Sequence, residues 1–303
     1  MKLRVGTRRS KLALAQAGEV RALLEGMGFE AELVPIVTSG DRGVAASSDP
    51  AGVKGLFVAE IVEALRRGDV DLAVHSAKDL PSEDPDDVTV GAVPHRAAPF
   101  DVLVTRTGDE LPAGAVVGTS SLRRRAQLLR FHPELRVEAL RGNVDTRLAK
   151  LEEGRADGIV VAAAGLARLG IAPPFAAPIP LEEMVPAPGQ GALAVQVRER
   201  DDPVAEIVRR LDHRRSRLAF EAERAVVKRL RGGCALPLGA YAELRDDGVR
   251  LLAVVIRPDG SDLVWAQAEA STPELVAVEV GDLLVAGGAG EILADVRGAG
   301  EEP

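Results

Sequence analysis

At 303 residues the chain is long enough for two or three domains with ample core. A net charge of −8 argues against nucleic acid as the default partner, and 3% aromatic content leaves no surface of stacked rings. No apolar stretch reaches the roughly 18 residues of a membrane span, and Met1–Arg9 carries charge where a secretory signal needs an apolar run. With a single cysteine, which suits a reducing compartment, a soluble cytoplasmic protein with no membrane or nucleic-acid partner is expected.

The first half alternates strand and helix. Leu3–Thr7 has the pattern of a short strand, and Ser10 suits the N-cap of a helix running to Glu25, with Gly26 and Gly28 as stops. Ala31–Val37 reads as a second strand, and Gly40–Gly55, rich in Gly, Ser, Asp and Pro, as a loop long enough to act as a lid. Helical spacing covers Leu56–Arg67, and a buried strand over Val70–His75 runs into Ser76-Ala77-Lys78-Asp79-Leu80-Pro81.

Two internal echoes follow in the same order. Val5-Gly6-Thr7 returns as Val117-Gly118-Thr119, each ahead of basic residues and an Ala-Gln pair; Gly68–Val74 returns as Gly154–Val160. They predict two similar α/β lobes of strand–helix units facing a cleft, since ligands of such sheets bind beyond the carboxyl ends of strands. Beyond Pro186–Gly191, a strand is expected at Ala192–Val197 and helices at Pro203–Leu211 and Ser216–Leu230. Strand-like runs at Leu238–Leu244, Val249–Ile256 and Leu263–Ala270 and one last helix, Pro273–Ala286, make a smaller α+β domain, with a frayed tail at Gly298–Pro303. The expected division is 1–96 with 192–212, then 97–191, then 213–303.

Cys234 sits in Arg231-Gly232-Gly233-Cys234-Ala235-Leu236-Pro237, where glycines let a ligand approach the sulfur. A lone thiol makes neither an internal disulfide nor a metal site. It is a nucleophile, an attachment point, or a small buried hydrophobe. Gly118-Thr119-Ser120-Ser121-Leu122-Arg123-Arg124-Arg125 sets hydroxyls and free amides at a helix start beside guanidinium groups, a construction suited to anions. Thr7-Arg8-Arg9-Ser10-Lys11 is a weaker copy, and Arg141-Gly142-Asn143-Val144-Asp145-Thr146-Arg147 a third. Individually each is as well explained by a solvated basic helix end; together they point to a polyanionic ligand. No phosphate loop is present, so nucleotide phosphate is not the obvious anion. Asp79, an acid among these cations, suits proton transfer or support of a cationic intermediate, or else caps the turn before Pro81. The four histidines show no metal-ligand spacing, and no metal is expected.

At Val5–Gln16, His75–Pro81, Val117–Leu128, Leu140–Leu148, Ala163–Gly170, Gly189–Ala192 and Gly232–Glu243 the chain resembles the porphobilinogen deaminase (hydroxymethylbilane synthase) family, nearly end to end. The resemblance implies two lobes like those of periplasmic binding proteins and a third domain. It implies a transferase that condenses four porphobilinogen molecules into a linear tetrapyrrole, releasing ammonia, on a dipyrromethane cofactor bound by a thioether to Cys234. Asp79 then matches the catalytic aspartate. Cofactor contacts fall on Ser76, Lys78, Thr119, Ser120, Ser121, Arg123, Arg124, Arg141, Gly142, Asn143 and Gln190, and substrate contacts on Arg8, Ser10, Arg147 and Arg168. A monomer is expected. One departure is Ala59, where many relatives carry a lysine before the residue matching Glu60. The competing class, a non-catalytic bilobal anion-binding protein, explains the arginines but gives no purpose to Cys234 or Asp79.

Overall fold

A computed structural model of the chain describes residues 1–38, 50–199, 202–230, 236–246 and 248–298, the side chains of 50–57 and 202 excepted. Cys234 with its loop 231–235, most of the expected lid, and the tail beyond 298 lie outside the described residues.

The chain opens with β1 (Lys2–Arg8), α1 (Lys11–Gly26), β2 (Glu30–Ile36), α2 (Pro50–Arg66), β3 (Leu72–Ser76) and β4 (Val88–Ala92). Ser10 caps α1, its Oγ accepting from the Ala13 amide at 3.2 Å. Helical spacing in the sequence starts at Leu56, whereas the helix begins at Pro50. Proline is well placed there, because first-turn N–H groups have no helical partner to lose.

The second lobe runs β5 (Asp101–Thr105), β6 (Val116–Gly118), α3 (Leu122–Phe131), β7 (Arg136–Glu138), α4 (Val144–Glu152), β8 (Gly158–Ala162), α5 (Ala163–Leu169) and β9 (Ala176–Pro178). Then β10 (Leu193–Arg198) returns to the first sheet, followed by α6 (Asp202–Arg209), α7 (Arg214–Arg229), β11 (Leu238–Arg245), β12 (Gly248–Ile256), β13 (Leu263–Ala270), α8 (Pro273–Ala286) and α9 (Ala289–Gly298). The last helix was not expected; Ile292 and Leu293 bury its inner face against the third-domain core.

The first sheet has the order β2-β1-β3-β10-β4 and the second β7-β6-β8-β5-β9. In each, a parallel trio is followed by an antiparallel strand, β10 beside β3 and β5 beside β8. The echoed segments occupy equivalent places, β1 with β6 and β3 with β8. Alternation sorts the first sheet's side chains: Leu72 and Val74 meet Val20 and Leu24 of α1, while Ala73 and Ala194 face Ile61 and Leu65 of α2. The three-stranded antiparallel sheet β11-β12-β13 packs beneath α7, α8 and α9. Helix α7 joins bodies: Phe220 lies in the first lobe's core, whereas Ala219, Ala222 and Val226 lie in the third domain's. Among the described residues no helix is long and apolar enough to cross a membrane.

Candidate active site

The parallel strands of both lobes end where the candidate residues begin. β1 ends at Arg8 and β3 at Ser76, and a single 3₁₀ turn, Ala77–Asp79, follows. Gln16 of α1 donates to the Ser76 hydroxyl at 3.0 Å, tying helix to strand end. In the second lobe β6 ends at Gly118, and Thr119, Ser120 and Ser121 lead into α3. The Ser121 hydroxyl accepts from the Arg124 amide at 3.4 Å and the Thr119 hydroxyl from the Ser121 amide at 3.2 Å. These two side chains shape the helix start, leaving Ser120 the exposed hydroxyl.

Gln190 joins the two sets. It is fully buried in the segment returning to the first lobe; its amide nitrogen donates to Pro99 O at 2.7 Å and Asp101 Oδ1 at 3.0 Å, while its Oε1 accepts from Lys78 at 3.4 Å. Neighbouring Gly189 has φ 73°, and a Cβ there would sit 3.0 Å from the Lys78 backbone nitrogen. Gly191, at φ 83°, would press a Cβ to 2.4 Å from Ala97 O. Only glycine fits both, and the close approach holds Gln190 between the lobes.

Asp101 at the start of β5 is the node of the second lobe. Its Oδ2 accepts from Arg123 at 2.8 Å and its Oδ1 from Arg124 at 3.1 and 2.7 Å. Burial alone would raise the carboxyl's pKa; the charges of Arg123, Arg124 and Lys78 hold it instead at about 2. The remaining guanidinium donors are partly spent inside, from Arg123 to Val185 O at 2.7 Å and from Arg124 to Val160 O at 2.9 Å. The Nε of Arg123 is buried with no hydrogen-bond partner among the described residues.

Arg147 donates to Gly142 O at 2.8 Å, and burial together with Arg124 lowers its pKa to about 10. The α4 start therefore lies within electrostatic reach of the α3 start. Arg141 and Asn143 are exposed at that start, and Asn143 occupies the N-cap position without a side-chain cap bond. Arg8 is half-buried at the end of β1. Arg168 lies beside the Gln190 segment and is already paired: its Nε meets both carboxylate oxygens of Glu19 at 3.2 Å, and another nitrogen donates to Gly191 O at 3.1 Å. Lys78, Gln190, Arg123 and Arg124 are thus brought together through Asp101, with Ser76 and Asp79 on the adjoining turn, while the place of Cys234 is not described.

Sequence reasoning passed over Asp101 and Glu223. Glu223 of α7 is fully buried and accepts from Arg96 at 2.7 and 3.0 Å, from the Gly189 amide at 2.6 Å and from the Ala242 amide at 2.8 Å. It welds the third domain to the Gln190 segment. A usable signal existed for Asp101, an acid opening the apolar run Val102-Leu103-Val104. Glu223 gave less, being one acid among several on a charged helix.

His75 on β3 is 5% exposed, and burial pulls its pKa to about 4 against the raising influence of Asp79 and Asp84. It is neutral in the folded protein at pH 6, whereas the unfolded chain takes up a proton below about 6.5. Stability is therefore fully present above that value and lost as pH falls toward 4, by about 3 kcal/mol from this group. In urea unfolding at pH 7 and 4.5, His75→Gln should flatten the loss relative to wild type; parallel losses would reject it.

A family model described as "Porphobilinogen deaminase, dipyromethane cofactor binding domain" matches residues 3–206, and a second, "Porphobilinogen deaminase, C-terminal domain", matches 217–286. A porphobilinogen deaminase of Brevibacillus brevis is 44% identical over 307 aligned residues, covering 99% of each chain. One of Pelotomaculum thermopropionicum is 47% identical over 302, covering 97% of this chain and 96% of its own. Among solved structures, an ancestral cationic amino acid solute binding protein aligns at a TM-score of 0.43 with 18% identity, over 69% of this chain and 87% of its own. With both halves matched by its models and relatives alike from end to end, the chain belongs to the porphobilinogen deaminase family.

Proposed function

We infer that the chain is a hydroxymethylbilane synthase, which joins four porphobilinogen molecules head to tail, releases ammonia and frees a linear tetrapyrrole by hydrolysis. The observation that carries this reading is the convergence on Gln190 of Lys78, one residue from Asp79, and of the Asp101–Arg123–Arg124 cluster from the other lobe. An acid thereby stands one residue from a lysine joined to the second lobe's arginine cluster, as suits condensation of carboxylate-rich pyrroles through positively charged intermediates.

The residues present fit a dipyrromethane, whose acetate and propionate groups need several cations and hydroxyl donors. Arg123 retains a buried donor without a partner among the described residues, and burial and the charge of Arg124 both weigh against the charged form of Arg147, as suits cations awaiting carboxylates. Arg123, Arg124, Arg141, Lys78, Ser76, Ser120, Thr119, Ser121, Gly142, Asn143 and Gln190 would hold it, with Cys234 as its covalent anchor. When bound, it supplies the carbon nucleophile on which the chain grows. Asp79 accepts hydrogen bonds from pyrrole N–H groups and offsets positive charge, and Arg8, Ser10, Arg147 and Arg168 orient incoming carboxylates.

Division into 1–96 with 192–212, 97–191 and 213–303 belongs to this reading; strands drawn from 2–92 with 193–198, from 101–178 and from 238–270 support it. So does a cytoplasmic setting, supported by the single thiol.

Incubated with porphobilinogen, the protein should release ammonia and a product that cyclises to uroporphyrin. Binding without turnover would favour the non-catalytic anion-binding class. Intact mass should exceed the sequence mass by two linked pyrrole units, and Cys234→Ser should abolish the excess. Active protein of unmodified mass would overturn the covalent anchor.

A further inference from the structure

Arg168 is a substrate-binding candidate whose charge is already matched, and the partner is a carboxylate of the other lobe. Its side chain is 4% exposed in α5 of the second lobe, while Glu19, on α1 of the first, is 46% exposed. That asymmetry decides which member can let go. A carboxylate nearly half in water is released cheaply, whereas a guanidinium this buried must keep an anion beside it. Gly191 O satisfies one nitrogen but supplies no charge. Gly191 also follows Gln190, which places this guanidinium next to the residue that bonds both Lys78 and Asp101.

We propose that Glu19 is an internal competitor of substrate, a carboxylate that holds Arg168 and is displaced from it by a carboxylate of incoming porphobilinogen. This rests on reading Arg168 as a substrate-binding residue. The exchange swaps one anion for another, so the buried guanidinium is never left unpaired. The lobes stay tied meanwhile by the buried Gln190, bonded to Lys78 of the first lobe and to Asp101 of the second. Glu19 therefore tunes apparent substrate affinity without joining the chemistry.

The test is steady-state consumption of porphobilinogen by the holoenzyme carrying Glu19→Gln, Glu25→Gln or Arg168→Gln. Glu25 makes the same charge change on the same helix, but its partner is Arg21, 3.6 Å away. Glu19→Gln should lower KM about two- to fivefold, the scale of a partly exposed ion pair, with kcat within about twofold, as expected when only ground-state competition is removed. Glu25→Gln should leave both unchanged, and Arg168→Gln should raise KM. An unchanged or raised KM in Glu19→Gln beside a raised KM in Arg168→Gln rejects the competitor while keeping Arg168 as a ligand. Equal shifts in Glu19→Gln and Glu25→Gln reduce the effect to net charge and reject it too. A wild-type KM in Arg168→Gln removes the underlying assignment and the proposal with it.

Discussion

Asp79→Asn is expected to lower porphobilinogen turnover at least ~10²-fold, the usual scale for losing one electrostatic or acid–base group. The substitution keeps the side chain's size and much of its hydrogen bonding and removes only the charge. Asp79→Glu should retain more activity, because charge counts for more than reach. Both variants should still show the excess mass of two linked pyrroles, since attachment depends on the thiol. The opposing account makes Asp79 a turn residue, and it predicts the reverse ranking, with Asn nearly silent and Glu worse.

Two features favour the charge. The turn Ala77–Asp79 is closed by backbone, the Leu80 amide donating to Ala77 O at 3.2 Å, so the carboxylate is not needed to close it. The neighbouring His75, with a pKa of about 4, is neutral near pH 7 and supplies no cation to cancel Asp79. Turnover of the two variants, with mass recorded on the same samples, reads the ranking directly.

Much of this arrangement was legible in the sequence because it depends on local patterns. Ser10 and the glycines at 26 and 28 mark α1, alternation marks the strands of the third domain, and repetition of Val-Gly-Thr exposes the paired lobes. Where the structure departs from these patterns, composition is the weaker guide. The Gly- and Ser-rich run before Leu56 has the composition of a loop throughout, yet its last part is helix from Pro50. α9 carries Gly290 and Gly298 and holds its place through Ile292 and Leu293. The site divides similarly. Cations at strand ends are visible as motifs, but their partners are not. Asp101 lies 22 residues before Arg123, and Glu19 149 residues before Arg168, separations that only the fold closes.

Asp101→Asn is expected to destabilise the protein by about 3–5 kcal/mol, the scale for breaking a buried ion pair by removing one partner. Asparagine fills the space, but it leaves Arg123 and Arg124 buried without a counter-charge. The wild-type contribution has its own pH signature. A carboxyl held at about 2 contributes stability fully above the unfolded value near 3.8 and loses it as pH falls toward 2. Asp101→Asn should therefore be most different from wild type at neutral pH, with the gap closing in acid. A double-mutant cycle with Arg123→Met separates the buried cluster from generic loss of packing. Removing one stranded cation relieves part of the penalty left by Asn, so the double variant should be more stable than the two single effects added together. Additivity within about 0.5 kcal/mol in urea unfolding would mean the residues act independently. That outcome would leave the second lobe's cations without the internal counter-ion that fixes them opposite Lys78.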